Sequence, residues 1–331
     1  MSFEQILGQE SALAILRTAL RKDRMAHAYL FLGPDGVGKR LAALTLAKAM
    51  NCKSPPNEGD CCEGCPSCVK INSSNHADVI LLDPEEDVIK IHQVRELQKR
   101  LHYRPLEGGR RVCIIDSADR MNEAASNALL KTLEEPPDQT HLILITSIPH
   151  RLLPTILSRC QWVKFKPLSS SQIIQILERE HSMDGEKARF CASLSGGSAG
   201  AALSLSNRVD FQKRLDYLQA FSELPRKTME EIFDSCEQIA REEEEVKDLL
   251  ELWKLWIRDL MVFKVRGDGL INHDLRGKVA EESSKHSFDR LDSLFDLISN
   301  VQKSIALNAN RQLALETLML GMKKISTQNR T

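Results

Sequence analysis

A glycine-rich segment between an apolar run and an alanine-rich stretch constrains the fold of this chain more than any other feature. The segment is Gly33-Pro34-Asp35-Gly36-Val37-Gly38-Lys39, which fits the pattern G-x-x-x-x-G-K of a phosphate-binding loop. The run 28–32 before it has the pattern of a buried strand, and the stretch 41–50 after it is helical. Glycines let backbone N–H groups surround phosphate oxygens, while the helix N-terminus and a lysine supply positive charge. A glycine turn with a chance lysine is the alternative, which the flanking strand and helix disfavour. The predicted nucleotide contacts are Gly33, Gly36, Gly38 and Lys39.

Two positions near this loop depart from what magnesium-assisted phosphoryl transfer requires. Arg40 stands where a serine or threonine hydroxyl would ligate magnesium. Asp116 follows the apolar run 112–115 and matches the aspartate that holds the metal, but Ser117 replaces the glutamate that would activate water. Asp119 is the alternative base, although its place in the following turn favours a structural role. We therefore expect a degenerate nucleotide site that includes Arg40 and Asp116, and whether ATP or ADP binds there without hydrolysis stays open.

The order of apolar runs and helical patterns predicts the fold class. The runs 28–32, 79–82, 112–115 and 141–146 are apolar throughout, as in strands that are buried on both faces. Helical patterns separate them, which predicts a parallel α/β sheet. Beyond Pro167, amphipathic helical stretches continue to the C-terminus. The sequence thus predicts an α/β domain at 1–167, a small helical lid at 168–207 and a helical domain at 208–331.

Five of the nine cysteines lie between residues 52 and 68. The N-terminal residues have neither a basic start nor an apolar core of a signal peptide, so we expect the reducing cytoplasm, where disulfides are rare. Four soft thiolate ligands at this spacing suit a closed, tetrahedral structural zinc site. The preferred ligands are Cys52, Cys62, Cys65 and Cys68, with Cys61 as the alternative to Cys62. Unliganded cysteines in a loop are the other interpretation.

Hydropathy excludes a membrane-spanning protein, and charge limits how the chain could bind nucleic acids. Lysine and arginine total 45 and aspartate and glutamate 46, so no basic excess drives binding to nucleic acids or membranes. No apolar run approaches the roughly 20 residues of a membrane helix. Any contact with DNA must be local or shared with partners.

Several longer motifs accompany the loop and the cysteines. They are Ile6-Leu7-Gly8-Gln9, His27-Ala28-Tyr29-Leu30-Phe31, Asn127-Ala128-Leu129-Leu130-Lys131-Thr132-Leu133-Glu134-Glu135-Pro136-Pro137, Leu153-Pro154-Thr155-Ile156-Leu157-Ser158-Arg159-Cys160 and Asn308-Ala309-Asn310-Arg311-Gln312-Leu313-Ala314-Leu315-Glu316. Over nearly the whole chain, these motifs resemble the delta-prime subunits of bacterial DNA polymerase III clamp loaders, which are relatives of the AAA+ ATPases. The resemblance implies a RecA-like (AAA+) α/β domain at 1–167 with a cysteine knob at 52–68, a lid at 168–207, and a collar at 208–331 that mediates ring assembly.

The resemblance also implies a function. A subunit of this family takes part in ATP-driven loading of the sliding clamp onto primed DNA, beside the gamma or tau and delta subunits, in the cytoplasmic replisome at the bacterial nucleoid. Arg159, in the triplet Ser-Arg-Cys, matches an arginine finger that acts on the nucleotide of a neighbouring subunit. From the triplet alone, an arginine that pairs with a carboxylate is the alternative. The isolated chain is then expected to be a component of a DNA polymerase holoenzyme without ATPase or polymerase activity of its own.

A third departure supports this loss of hydrolysis. ATP-hydrolysing relatives carry a lid arginine in a Gly-Ser-x-Arg context, and the corresponding segment here is Gly197-Ser198-Ala199-Gly200. Two other hypotheses stay open: a gamma/tau-type ATPase that uses Lys39 and Asp116 with Asp119 as base, and a zinc-bearing module that binds DNA.

A cluster of basic residues gives one further hypothesis, in which side chains of the predicted helix 91–103 contact DNA phosphates without sequence specificity. A solvated helix face is the equal alternative. The cluster is Arg95, Lys99, Arg100, Arg104, Arg110 and Arg111.

Overall fold

The computed structural model describes residues 2–57, 59–107, 109–208 and 211–327. The chain divides into two compact units. The first consists of Met1–His181 and Ser195–Ala202, and the second of Ser182–Leu194 and Leu203–Thr331. The predicted lid, 168–207, is thus shared between the two units, and the division into three domains stays a prediction. Residues 209, 210 and 328–331 of the predicted collar lie outside the described residues.

The first unit contains a five-stranded parallel sheet, which confirms the predicted α/β class. Its strands are β1 Ala28–Leu32, β2 Val79–Leu82, β3 Arg111–Ile115, β4 Thr140–Thr146 and β5 Gln161–Lys164. Their order in the sheet is β2-β3-β4-β1-β5. The sequence analysis missed β5, because this edge strand has four residues and buries only Val163. Strand β1 therefore pairs with a neighbour on each side, and Leu30 lies opposite Leu144 and Trp162.

Helices cover both faces of this sheet. The helices of the first part of the chain are α1 Glu10–Arg21, α2 Lys39–Asn51, α3 Pro66–Asn72, α4 Ile91–Leu101, α5 Glu123–Glu134, α6 Pro154–Leu157 and α7 Ser170–His181. Side chains alternate along β1, so that Leu30 packs in the core with α4 and α5, whereas Tyr29 and Phe31 pack with α1 and α2. Burial on both faces explains why the strands are continuous apolar runs.

The second half of the chain is helical, as predicted. The remaining helices are α8 Gly185–Leu194, α9 Ala199–Arg208, α10 Phe211–Glu223, α11 Met229–Ala240, α12 Glu243–Arg266, α13 Arg276–Ser284, α14 Phe288–Ala306 and α15 Arg311–Thr327. Helix α12 runs for 24 residues through the core of the second unit and buries Trp253 and Trp256. It ends at Gly267, whose φ of 69° is the left-handed conformation that favours glycine. No helix in the described part of the chain is both long and apolar enough to span a membrane.

A buried arginine links several elements of the second unit. Arg214 of α10 is 1% exposed and donates to the carboxylate of Asp274 at 2.8 Å and to the side-chain oxygen of Asn272 at 2.6 Å. Its guanidinium also lies 4.4 Å from the ring centre of Phe190 on α8. Full satisfaction of the guanidinium is what makes its burial tolerable.

A second buried ion pair fixes the segment that follows α4. Asp78 is fully buried and accepts hydrogen bonds from the backbone N–H groups of Leu106 at 2.9 Å and Glu107 at 2.8 Å. Arg111, 3% exposed, lies 3.4 Å from Asp78 and donates to backbone carbonyls after α4, including that of Arg104 at 2.9 Å. Arg111 therefore holds the fold together and does not belong to a solvent-facing basic surface, contrary to the DNA-contact hypothesis for this residue.

We expect Asp78→Ala to lower the free energy of unfolding by about 3–5 kcal/mol, because the substitution leaves the buried charge of Arg111 without its partner. Urea denaturation followed by circular dichroism measures the change. Asp138→Ala, at an exposed position in the same unit, serves as the control and should stay within about 0.5 kcal/mol of the wild type. Equal effects of the two substitutions would contradict the stabilising role.

The same pair sets a pH dependence. Burial of Asp78 tends to raise the pKa of its carboxyl group. Hydrogen bonds from the backbone of Glu107 and Leu106 and from Arg111 outweigh this effect and hold the pKa of Asp78 below its ordinary value. Because the pKa is lower in the folded state, the ionised carboxylate stabilises the fold fully above the unfolded pKa of about 3.9. This stabilisation is lost as the pH falls through the folded pKa. The difference between wild type and Asp78→Ala should therefore shrink below about pH 4.

Candidate functional site

The glycine-rich loop lies between β1 and α2, as the sequence predicts, and its lysine is turned onto the loop itself. Lys39 is 4% exposed, and its ammonium donates to the backbone carbonyls of Gly33 and, at 2.7 Å, of Pro34. Asp35 accepts a third hydrogen bond at 3.3 Å. Burial lowers the pKa of Lys39. The lysine that would contact a phosphate is thus engaged with the carbonyls of its own loop.

Arg40 bridges the ends of two neighbouring strands. Its guanidinium donates to both carboxylate oxygens of Asp83, at 2.7 and 3.1 Å, and to Asp116 at 3.0 Å. Burial alone would lower the pKa of Arg40, but the two carboxylates raise it above its ordinary value. A permanent cation therefore lies between the two carboxylates at the ends of β2 and β3, next to the phosphate loop.

Asp83 is a residue of this site that the sequence analysis did not assign. A signal for it exists, because Asp83 directly follows the apolar run 79–82, as Asp116 follows 112–115. Parallel strands place their carboxyl ends at one edge of the sheet, and β2 and β3 are neighbours there. The order of the strands, which the sequence does not state, is what brings the two carboxylates to one guanidinium.

The first residues of α9 pack against the phosphate loop within the first unit. The backbone N–H of Gly200 donates to the carbonyl of Gly36 at 3.0 Å. A Cβ at Gly36 would lie 2.3 Å from Oγ of Ser198 and 2.9 Å from Cα of Gly200, and a Cβ at Gly200 would lie 2.9 Å from Cα of Gly36. Because the two backbones lie this close together, both positions require glycine. The glycine in place of a lid arginine permits the close contact of the two backbones.

Ser117, which replaces the water-activating glutamate, and Asp119, the alternative base, both have structural contacts. Ser117 has φ 50° and ψ 50°, and its backbone N–H donates to the carboxylate of Asp116 at 2.8 Å. Asp119 accepts a hydrogen bond of 2.5 Å from the hydroxyl of Thr146, whose oxygen also accepts from the backbone N–H of Ile148 at 2.9 Å. Asp119 therefore ties the turn after β3 to the end of β4.

Four cysteine sulfurs converge where the segment after α2 leads into the first turn of α3. Cys52, Cys62, Cys65 and Cys68 place their Sγ atoms within 4.8 Å of one another. Tetrahedral zinc with bonds of about 2.3 Å separates its sulfur ligands by about 3.8 Å. The Sγ atoms of Cys52 and Cys65 are 4.0 Å apart. Burial opposes this shift, but backbone hydrogen bonds lower the pKa of Cys65 to about 6, whereas burial raises the pKa values of Cys52 and Cys68. The case for a metal therefore depends on the convergence of the sulfurs. These four side chains fit a closed metal site.

Cys61, the alternative ligand, packs beside these cysteines but is not one of the four whose sulfurs converge. Its thiol lies 3.1 Å from the carboxylate of Glu63, and burial together with that carboxylate raises the pKa of Cys61 to about 12. Glu63 in turn accepts a hydrogen bond of 2.6 Å from the ammonium of Lys48, a buried residue of α2. Cys61 and Glu63 thus attach the cysteine segment to α2, while Cys62 faces the other sulfurs.

Arg159 lies just beyond α6, on the surface of the first unit. Its guanidinium donates to the carboxylate of Glu134 at 2.7 Å and to the backbone carbonyl of Thr155 at 3.0 Å. The side chain is 35% exposed. This pairing with a carboxylate is the alternative that the triplet left open, and the role as a finger stays a prediction.

The basic cluster is only partly a surface. Arg95, Lys99 and Arg100 are exposed on α4, and Arg104 is exposed in the segment after it. Arg110 pairs with Asp23, and Arg111 is buried, as described above. Four of the six residues are therefore available for contact with phosphates.

We expect Arg40→Ser to create a metal site, because the substitution leaves the carboxylates of Asp83 and Asp116 without their cation and adds a hydroxyl. Mn²⁺ binding, followed by electron paramagnetic resonance, should be about tenfold tighter or more than in the wild type, a difference of about 1.4 kcal/mol. Arg24→Ser, at an exposed arginine in the same unit, is the control. Equal Mn²⁺ affinity in both variants would show that Arg40 does not occupy a cation position.

Zinc retention should distinguish the two adjacent cysteines. We expect Cys62→Ser to lose most of the bound zinc, because one of four ligands is removed, whereas Cys61→Ser keeps it, because this thiol contacts Glu63. Metal content per chain, measured by mass spectrometry after dialysis, provides the comparison. Loss of zinc from Cys61→Ser with retention in Cys62→Ser would reverse the assignment.

Comparisons with known proteins cover most of the chain. A family model described as "DNA polymerase III, delta subunit" matches residues 8–169, and a second, described as "DNA polymerase III, delta subunit, C terminal", matches 209–324. DNA polymerase III subunit delta' of Bacillus subtilis is 32% identical over 96% of this chain and 96% of that protein. Subunit tau of the same organism is 31% identical over 79% of this chain but 50% of its own length. A solved gamma subunit-related protein from Thermotoga maritima has a TM-score of 0.46 and 21% identity, with coverage of 95% of this chain and 99% of that chain. The chain belongs to the delta' subunit family of DNA polymerase III.

Proposed function

We propose that this chain acts in a clamp loader as a subunit that does not hydrolyse ATP and that assists hydrolysis by a neighbouring subunit. The bridge from Arg40 to Asp83 and Asp116 carries the proposal, because it places a fixed cation where a hydrolysing site needs an exchangeable metal. Loading of the sliding clamp onto primed DNA then depends on ATP bound by other subunits.

The geometry of the loop supports the absence of nucleotide turnover. Lys39 donates to carbonyls of its own loop, and Gly200 lies directly on Gly36. A phosphate group needs the lysine that these contacts engage, and the contact with Gly200 holds the start of α9 directly on the loop. Binding of ATP or ADP would require Lys39 to turn outward and α9 to move, so we infer that this degenerate site is empty in the working complex.

Arg159 is the residue that we propose to act on the neighbour. Its side chain is partly exposed and lies at the end of a short helix, where a second subunit can approach it. A guanidinium is always charged and offers several N–H donors to the charge that develops on a transferred γ-phosphate. Arg159 would therefore supply in trans what this chain no longer uses in its own site.

We propose gamma or tau and delta subunits as partners, with the collar at 208–331 as the region of assembly. The sliding clamp and primed DNA would be reached through the complex, in the cytoplasmic replisome at the nucleoid. The exposed Arg95, Lys99 and Arg100 support contact with DNA phosphates. Zinc held by the four converging cysteines would order the knob and leave no position for chemistry.

The alternative of a gamma/tau-type ATPase makes a different prediction for the isolated chain. It requires Asp119 as a base, yet this carboxylate is occupied by the hydroxyl of Thr146. Magnesium-dependent ATP turnover by the isolated chain, abolished by Lys39→Ala, would favour this alternative over our proposal.

Arg159→Ala is expected to leave assembly intact and to slow ATP hydrolysis at the site that receives Arg159 by about 10³-fold, the lower end of what an arginine finger contributes. ATPase and clamp-loading rates of the reconstituted complex measure the loss, and size-exclusion chromatography checks assembly. Arg151→Ala, at an exposed arginine nearby, is the matched control. Unchanged rates in the Arg159→Ala complex would refute the role.

A further inference from the structure

Glu134, the partner of Arg159, carries its negative charge at an unfavourable position in its helix. Glu134 is the last residue of α5, and its carboxylate accepts from Nη2 of Arg159 at 2.7 Å. A carboxylate in the last turn of a helix faces the negative end of the helix dipole, which is unfavourable for the helix. The next residue, Glu135, is also exposed but makes no ion pair with any described residue. Glu134 therefore gains its stabilising contact from Arg159 and not from the helix that carries it.

Both ends of this pair are held on packed elements. Helix α5 begins at the cap of Asn122, whose side chain accepts from the backbone N–H of Ala125 at 2.8 Å, and Pro136 prevents its continuation. Buried side chains of α5 and α6, among them Leu129 and Ile156, share one hydrophobic core. The fold of the first unit therefore fixes where the backbones of Glu134 and Arg159 lie relative to each other.

The contacts of Arg159 leave part of the guanidinium unused. Nη2 donates to Glu134, and Nη1 donates to the carbonyl of Thr155 at 3.0 Å and lies 3.5 Å from the hydroxyl of Ser158. A guanidinium has five N–H donors, so further donors remain for another acceptor. However, the adjacent carboxylate offsets the positive charge that a phosphate would meet.

We propose that Glu134 is a positioning residue that holds Arg159 in a resting orientation and competes with the phosphate of the neighbouring subunit for its guanidinium. This inference rests on the proposed role of Arg159 in trans. The side chains are 35% and 50% exposed, and ion pairs with such exposure contribute little to stability, so a triphosphate can displace the carboxylate. Arg159 is then kept close to the surface while no nucleotide faces it, and is released when a more highly charged acceptor arrives.

The assembled complex with Glu134→Gln tests the competition. Glutamine keeps the size of the side chain and removes the charge, so the KM for ATP should fall about two- to fivefold, the range that an exposed ion pair supplies, while kcat stays within about twofold. Glu135→Gln, one residue away and outside the pair, is the matched control and should leave both parameters unchanged. In the Arg159→Ala background, Glu134→Gln should have no further effect, because the competitor has lost its target.

Three outcomes would overturn the inference. They are an unchanged KM in Glu134→Gln, a change that persists in the Arg159→Ala background, and a fall in kcat without a fall in KM, which would mean that Glu134 orients Arg159 for the reaction. Arg159→Ala alone reports separately on the proposed function. If Arg159→Ala slows hydrolysis and Glu134→Gln matches Glu135→Gln, only the competition fails, whereas an unaffected Arg159→Ala complex removes the role of Arg159 itself.

Discussion

Two carboxylates at the ends of neighbouring parallel strands need a cation, and the rest of the first unit depends on which cation this is. A magnesium ion arrives with a nucleotide and can leave with it, whereas the guanidinium of Arg40 is covalently attached and always charged. Its three hydrogen bonds to Asp83 and Asp116 join α2 to the ends of β2 and β3. The guanidinium therefore permanently offsets one of the two carboxylate charges at this edge of the sheet, without a bound ligand.

The sequence was sufficient for the features that local chemistry determines. Continuous apolar runs predicted four of the five strands, and the glycine spacing placed the loop between β1 and α2. It was not sufficient where long-range packing decides. Strand β5 buries one side chain only, so periodicity could not reveal it. Arg111 directly follows Arg110 in the sequence, and only the position of Asp78 in the fold explains its burial.

In the candidate site, too, local patterns in the sequence predicted some features, and long-range packing determined the others. Spacing selected the group of cysteines, but adjacent Cys61 and Cys62 differ only in direction, which the contact between Glu63 and Lys48 sets. The three departures at 40, 117 and 200 were visible as missing groups. The sequence did not show what replaces them: at position 40 a bridging guanidinium, and at position 200 a backbone contact that only glycine allows. At positions 40 and 200, the absence of the expected group therefore coincides with a structural contact.

The contact between Gly36 and Gly200 limits how the sequence of such a subunit can change in evolution. A side chain restored at position 200 meets the backbone of Gly36 before it can reach any phosphate, so a single substitution lowers stability without returning hydrolysis. Recovery would need α9 to move away together with new residues at 40 and 117. Under the proposed role, each step alone brings no gain, so the packing of the two glycines disfavours a stepwise return to hydrolysis.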